Sequence, residues 1–207
     1  MADEVLKFFV LFFVVVEPVT LVPPFAAMTE GEDEAFRRKM ALKAVCIAGI
    51  VLLLFAVGGA SFLKIMGISI DAFRIAGGIM LFLIALEMVF ARESGTRTTS
   101  EEKDEGKKRK DVSVFPLAFP FIAGPGALAI VLLTFGASRG DWPLSAGLFA
   151  AVIAVLVITY LLMRLTPLVM SVMGVTGGNV VNRLSGVVLA ALAVQFIITG
   201  ITNTFGS

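Results

Sequence analysis

The chain has 207 residues, of which 58% are apolar and 16% are charged, and its formal net charge is +1. Soluble domains carry about 25% charged residues, so the composition excludes an ordinary soluble domain, and the low net charge gives no indication of a nucleic-acid partner. Most charged residues fall in two stretches, Glu30–Lys43 and Arg92–Asp111. The long, nearly charge-free runs that remain predict a polytopic membrane protein.

The residue types needed for common catalytic and metal sites are scarce. The chain has one cysteine, Cys46, and no histidine, so it lacks an intrachain disulfide and the commonest metal ligand. The His-Glu-x-x-His motif is missing, as is the Gly-x-x-x-x-Gly-Lys motif of ATP-binding proteins. We therefore expect no catalytic residues, no metal and no cofactor, and we expect that the protein is not an enzyme.

Six segments are long and apolar enough to be membrane spans, since a bilayer core requires about 20 residues per helix. The N-terminal segment predicts a span and not a cleavable signal, because its apolar run is long and no small-residue cleavage site follows it. The predicted fold class is an all-α membrane protein with six transmembrane helices. In chain order the spans are Val5–Ala27, Met40–Leu63, Ile68–Phe90, Val112–Phe135, Leu144–Leu165 and Leu184–Phe205.

The first predicted span is interrupted by Glu17-Pro18-Val19-Thr20 and by the pair Pro23-Pro24. Proline removes a backbone hydrogen bond and clashes with the preceding turn, so these residues predict a broken helix. An acidic side chain deep in a membrane costs on the order of 3 kcal/mol, which favours a Glu17 that faces the interior of the bundle. A position nearer the membrane interface is the alternative.

The fourth predicted span repeats this pattern, with two prolines followed by a Gly-Pro-Gly sequence. Backbone outside a helix is tolerated in a membrane only where protein buries it or where it lines a cavity. Two facing breaks would offer amides, carbonyls and helix dipoles to a small zwitterion or ion, whereas proline kinks that only shape the packing are the alternative. The predicted substrate-binding residues are Glu17, Pro18, Val19, Thr20, Ala123, Gly124, Pro125, Gly126 and Ala127.

The two halves of the chain resemble each other. Arg74 and Gly77 match Arg183 and Gly186 at an offset of 109 residues, and the two breaks match at an offset of 107. Because three spans per half is an odd number, the second half would enter the membrane in the opposite sense, as in many secondary transporters. The predicted organisation is a three-helix repeat at 1–91, a charged linker at 92–111 and an inverted three-helix repeat at 112–207.

The distribution of basic residues predicts the orientation. With the N-terminus outside, 13 of the 17 Lys and Arg residues fall in the inside loops, as the positive-inside rule requires. We therefore expect a multi-pass protein of the cell membrane with both termini outside and the 92–111 linker in the cytoplasm. The linker is a mixed-charge sequence that would join the halves, and contact of Lys107–Lys110 with anionic lipid is the alternative.

The stretches Pro116–Ala129 and Arg183–Ile201 resemble the two signature stretches of the MarC family of integral membrane proteins. The resemblance implies six spans, a central polar linker and transport of small neutral amino acids such as glycine and alanine. Where the family usually has Asn-Pro or Asp-Pro in the first span, this chain has Glu17-Pro18. The longer side chain leaves the pocket volume and the coupling ion open.

These observations favour a secondary transporter that works by alternating access, and the resemblance implies small neutral amino acids as its substrates. Glu17 is the candidate for coupling to H⁺ or Na⁺. The alternative is a channel or an exporter of other small solutes with the same architecture. The expected partners are the amino-acid substrate and membrane lipids, and small residues such as Gly58–Ser61 would permit a homo-oligomer.

Overall fold

The structure is a computed structural model that describes residues 1–90, 111–138 and 140–205, with side chains throughout except at 173–179 and 181. Apart from Asp111, the predicted linker lies outside the described residues. The described chain is helical, and its regular elements are α1 (Ala2–Val16), α2 (Val22–Met28), α3 (Glu34–Ile65), α4 (Ile70–Phe90), α5 (Ser113–Ile122), α6 (Pro125–Ala137), α7 (Trp142–Arg164) and α8 (Thr166–Phe205).

Four helical segments are long and apolar enough to cross a membrane, by length and composition, and a bent pair of helices adds a fifth. They correspond to the second to sixth predicted spans. The first predicted span is not among them, because its longest helix, α1, has 15 residues, or about 22 Å, against a hydrocarbon core of about 30 Å. The segments are Glu34–Ile65, Ile70–Phe90, Trp142–Arg164, Asn182–Phe205 and the pair α5 and α6, which meet at 57°.

Between 22% and 39% of the most apolar window in each single spanning helix is buried. The remaining apolar surface faces outward, as expected of helices that are apolar all round and surrounded by lipid. The prediction of an all-helical integral membrane protein is therefore confirmed, while the described residues contain four or five spans by length where six were predicted.

Helix α8 begins well before the sixth predicted span, at Thr166 and not at Leu184. Its only proline, Pro167, lies in the first turn, where a missing N–H removes no intrahelical bond. The Thr166 hydroxyl donates to the Met163 carbonyl oxygen at 2.5 Å, so α7 ends and α8 begins within one turn. No further proline lies between Pro167 and the span itself, and the helix continues to Phe205.

Helices α4 and α8 form the most extensive packing contact of the bundle, and they run antiparallel. A Cβ atom on Gly78 of α4 would lie 2.8 Å from the Ala193 carbonyl oxygen, and one on Gly186 of α8 would lie 2.8 Å from Met88 Cβ. Alanine at either position would collide with the facing helix. The glycines therefore permit the close approach that stabilises helix pairs in membranes.

Phenylalanine side chains hold α1 against α6 and α7. The rings of Phe8 and Phe12 stack with centroids 5.5 Å apart, and Phe8 meets the edge of Phe135 on α6 at 6.1 Å. Phe135 in turn lies 4.5 Å from Phe149 of α7. This cluster buries the carboxyl-terminal part of α6 and fixes α1 beside it, although α1 is too short to span the membrane alone.

The contacts at the two ends of the bundle place both chain ends at one face. Near the end of α8, Asn203 donates to the Asp71 carboxylate at the start of α4, 3.0 Å away. Val5 of α1 lies against Gly147 near the start of α7, and α7 and α4 begin at this same face. At the opposite face, Lys43 of α3 forms an ion pair with Asp111. Asp111, the last residue of the predicted linker, is therefore held beside the first part of α3.

The ion pair at Asp111 predicts a specific pH dependence. Hydrogen bonds from Lys43 and then from Ser113 lower the pKa of Asp111 from 3.8 to about 2. A carboxyl group whose pKa is lowered by folding stabilises the folded state at pH values above its unfolded-state pKa. This stabilisation is lost as the pH falls through the folded-state pKa. Because the two paired side chains are 44% and 46% exposed, the contribution should stay below about 1 kcal/mol.

We therefore expect Asp111→Asn to lower the melting temperature of the detergent-solubilised protein slightly at neutral pH. The difference in melting temperature between wild type and variant should be constant above about pH 4 and should shrink as the pH falls toward about 2. The reason is that residue 111 titrates in the wild type and not in the variant. Thermal unfolding measured from pH 8 to pH 2.5 checks this. A difference that grows on acidification would contradict the assigned pairing.

Candidate functional site

The first helix break begins at Glu17, which ends α1 in a left-handed backbone conformation with φ 54° and ψ 57°. Its N–H donates to the Phe13 carbonyl oxygen at 3.0 Å, which completes the last turn. Pro18 explains the break, because a proline disfavours the helical conformation of the residue before it. A left-handed residue other than glycine costs about 1–2 kcal/mol, so the surrounding packing must hold this turn in place.

The Glu17 side chain is buried, with 6% of the residue exposed, in agreement with the orientation predicted from the cost of a carboxylate in a membrane. The Thr20 hydroxyl lies 3.0 Å from the Glu17 carbonyl oxygen and 3.2 Å from its carboxylate Oε2. Thr20 can donate its single proton to one of these oxygens at a time. The break therefore places a buried carboxyl group beside a hydroxyl group that can reorient.

The three prolines of the first predicted span have different roles. Pro18 lies in the break, whereas Pro23 and Pro24 lie in the first turn of α2, where a missing N–H is tolerated. The Val22 N–H donates to the Val19 carbonyl oxygen at 3.2 Å. Because the next two residues have no N–H, the amino end of α2 has little capacity to bind an anion.

The second break has a different construction. Hydrogen bonds in α5 extend over five residues, such as the Ala123 N–H to the Ala118 carbonyl oxygen at 2.9 Å, so the segment is wound as a π-helix. Phe115 and Phe119 interrupt it with extended backbone conformations, at ψ 127° and 129°, because each precedes a proline. Both Phe–Pro bonds are cis.

Helix α6 begins directly after this break. Gly124 is its N-cap and Pro125 its first residue, and the Leu128 N–H donates to the Gly124 carbonyl oxygen at 3.0 Å. The N–H groups of Gly126 and Ala127 come before the first residue that can form an intrahelical bond. They are aligned with the positive end of the helix dipole, so this end of α6 is suited to an anionic group.

The second break borders a small recess with a cavity volume of about 10 Å³, which contains four of the predicted site residues. The last residues of α1 reach it through Val15, two positions before Glu17, and α4 contributes Ile84. Of the other predicted residues, Ala123 is fully buried, and the Glu17–Thr20 turn follows Val15 without lining the recess. The lining residues are Val15, Ile84, Pro120, Phe121, Gly124, Pro125, Gly126 and Ala127.

The glycines of the second break are close to protein atoms as well as to the recess. A Cβ atom on Gly124 would lie 2.4 Å from the Pro120 carbonyl oxygen, and one on Gly126 would lie 2.4 Å from Leu81 Cδ2 and 3.2 Å from Val15 Cγ1. The first obstacle is backbone and cannot move away without a shift of the chain. The second consists of side-chain atoms, so Gly126 is the more tolerant position.

Of the four lining residues that were not among the predicted site residues, Pro120 and Phe121 belong to the second break, whereas Val15 and Ile84 lie in other helices. Neither lies in a break, and an aliphatic residue in a membrane helix carries no signal of a binding role. Only the packing of α1 and α4 against the start of α6 places them at the recess. The resulting arrangement offers backbone amides at one end, apolar walls, and a buried carboxyl group in the adjacent turn.

The similarity of this chain to known proteins extends over nearly its whole length. Residues 2–205 match the family described as "MarC family integral membrane protein". The chain is 36% identical to UPF0056 membrane protein YhcE of Escherichia coli over 96% of this chain and 92% of that protein. It is 35% identical to UPF0056 membrane protein YvbG of Bacillus subtilis over 99% and 97%, and 31% identical to a UPF0056 membrane protein of Aquifex aeolicus over 95% and 92%. No solved structure matches the chain significantly.

Proposed function

Because the chain belongs to the MarC family of integral membrane proteins, we propose that it is a secondary transporter of small neutral amino acids, of the glycine and alanine class, in the cell membrane. The observation that carries this proposal is a pair of broken helices that lie close together, since the second break at Gly124–Ala127 shares a recess with Val15, two positions before the first break at Glu17. Paired broken helices are typical of substrate sites in secondary transporters.

The pattern of helix contacts supports an inverted repeat of three helices. If α1 and α2 correspond to α5 and α6, α3 to α7, and α4 to α8, exchange of the halves should preserve the contacts. The larger contacts follow this expectation: α1 packs on α7 as α5 packs on α3, and α4 packs on α6 as α8 packs on α2. The contacts of α4 with α8 and of α3 with α7 are each their own equivalent.

Individual residues support the same repeat. On α3 and α7, Gly49 and Leu156 meet and are 107 positions apart in the sequence, which is the offset of the two breaks. The pair Lys43 and Asp111 corresponds to within a few residues to the contact of Val5 with Gly147. Two nearly equivalent halves of opposite sense provide two states of similar energy, one open to each side of the membrane.

The recess suggests how a zwitterion would be held. The substrate carboxylate would bind the Gly126 and Ala127 N–H groups at the positive end of α6. Glu17 would provide the negative charge for the substrate ammonium group or for the coupling ion, H⁺ or Na⁺. The side chain of the substrate would then lie against the apolar walls of the recess. Pro18, Val19, Thr20 and Ala123 would act by shaping the two breaks.

The orientation follows from the proposed topology. Both chain ends lie at one face of the bundle and Lys43 with Asp111 at the other, which suits a cytoplasmic linker and outside termini under the positive-inside rule. The exposed aliphatic residues of α3, α4, α7 and α8 would contact membrane lipids. A homo-oligomer through the small residues of α3 is compatible with this arrangement, and neither catalysis nor a bound cofactor is required.

Counterflow separates a carrier from a channel of the same architecture. Proteoliposomes preloaded with unlabelled alanine should take up labelled alanine several times faster than empty ones, because a carrier reorients faster when both sides provide substrate. The rate should also saturate with external alanine. Uptake that rises linearly with concentration and does not respond to preloading would favour the channel.

A further inference from the structure

Most of the recess is lined by the second break, and two branched aliphatic side chains from other helices close it. Six of the eight lining residues lie between Pro120 and Ala127, and the other two are Val15 of α1 and Ile84 of α4. Val15 is 4% exposed and Ile84 is 3% exposed. Neither side chain can form a hydrogen bond, so their contribution to the recess is volume alone.

The packing around these two residues leaves them little freedom to move. Leu81, one turn before Ile84 on α4, is fully buried, and its Cδ2 and Val15 Cγ1 both lie against the Cα of Gly126. Branched side chains are restricted at χ1, and close-packed interiors do not yield readily to added volume. A ligand bound at the α6 amides would therefore meet a wall of packed side chains that moves only if its neighbours repack.

We propose that Ile84, supported by Val15, limits the size of the substrate side chain, so that branched amino acids are excluded. This inference rests on the proposed transport of small neutral amino acids. It assigns specificity to a residue of α4, outside both helix breaks. A pocket rejects or accepts a methylene group by roughly 10- to 200-fold in transition-state binding, which gives the expected scale.

The test compares Ile84→Ala with Met88→Ala. Met88 lies one turn further along α4, is buried to a similar extent at 5% exposure, and packs against Gly186 away from the recess. In proteoliposomes the ratio of valine to alanine uptake should rise by about 10-fold or more in Ile84→Ala, and it should stay at the wild-type value in Met88→Ala.

The outcomes separate this inference from the proposed function. If wild type transports alanine and the ratio in Ile84→Ala is unchanged, the size limit lies elsewhere and the inference is wrong. If the ratio rises equally in both variants, a loosened bundle and not the wall explains it. If wild type transports neither amino acid under any gradient, the proposed function fails, and the size limit fails with it.

A second measurement tests the position of Ile84 without transport. In a Cys46→Ser background, Ile84→Cys and Met88→Cys are treated with a small water-soluble methanethiosulfonate reagent. The recess predicts faster labelling at position 84, slowed by alanine and unaffected by tryptophan. Equal labelling rates at the two positions would show that Ile84 does not face an accessible recess and would overturn the inference.

Discussion

Replacing Gly124 by alanine is expected to abolish transport and to destabilise the protein by about 1–3 kcal/mol, the usual cost of forcing atoms into a packed interior. The added Cβ would lie 2.4 Å from the Pro120 carbonyl oxygen, so the break must open before the methyl group can fit. The α6 amides would then move away from the recess, and substrate binding would weaken. Melting temperature in detergent and alanine uptake into proteoliposomes measure the two effects.

Gly136→Ala on the same helix is the matched control. Its Cβ would lie 3.6 Å from Ala60 Cβ, an ordinary contact, and alanine favours a helix over glycine by roughly 0.5–1 kcal/mol. This variant should be neutral or slightly more stable and should transport normally. Wild-type uptake in Gly124→Ala, or an equal loss in both variants, would show that the geometry of the second break is not critical.

Replacing Glu17 by glutamine is expected to reduce gradient-driven uptake by about 10- to 100-fold while leaving the melting temperature nearly unchanged. Glutamine keeps the length of the side chain and can still accept from the Thr20 hydroxyl, which lies 3.2 Å from Oε2. The substitution replaces one carboxyl oxygen by an NH2 group, so the side chain can no longer carry a negative charge. A hydrogen bond to a charged group contributes about 1.5–3 kcal/mol, and each 1.4 kcal/mol corresponds to a factor of ten.

Two comparators isolate the effect of charge at the first break. Glu17→Asp keeps a carboxylate, so it should retain part of the coupled uptake. Glu32→Gln removes an exposed carboxylate after α2 and should transport as wild type does. Accumulation at the wild-type rate in Glu17→Gln would reduce Glu17 to a structural residue of the turn and would remove the proposed ligand for the ammonium group or the coupling ion.

The two breaks were predictable from sequence because proline and glycine act locally. Pro18 disfavours the helical conformation of Glu17, and Pro125 favours the first turn of a helix, whatever the surrounding structure. Positions 17 and 124 could therefore be identified without knowledge of the fold. The distinct role of Pro23 and Pro24 was not predictable. A proline in the first turn of a new helix and a proline that extends a break have the same local signature.

Features that depend on tertiary packing were beyond the sequence. The apolar run at Val5–Ala27 suggested one span, yet the turn at Glu17 leaves α1 with 15 residues. The start of α8 at Thr166 was missed because a continuous helix and a loop followed by a helix share the same apolar pattern there. Val15 and Ile84 could be recognised only once α1 and α4 were placed against the start of α6.

The most direct test of the account is uptake of radiolabelled glycine and alanine into proteoliposomes that contain the purified protein, with imposed H⁺ or Na⁺ gradients. A secondary transporter with its site at the two breaks predicts saturable uptake that exceeds equilibrium under one of these gradients and collapses when the gradient is dissipated. The assignment to amino-acid transport would be contradicted if uptake were no greater than in protein-free liposomes. This result would have to hold for both ions and for both directions of each gradient.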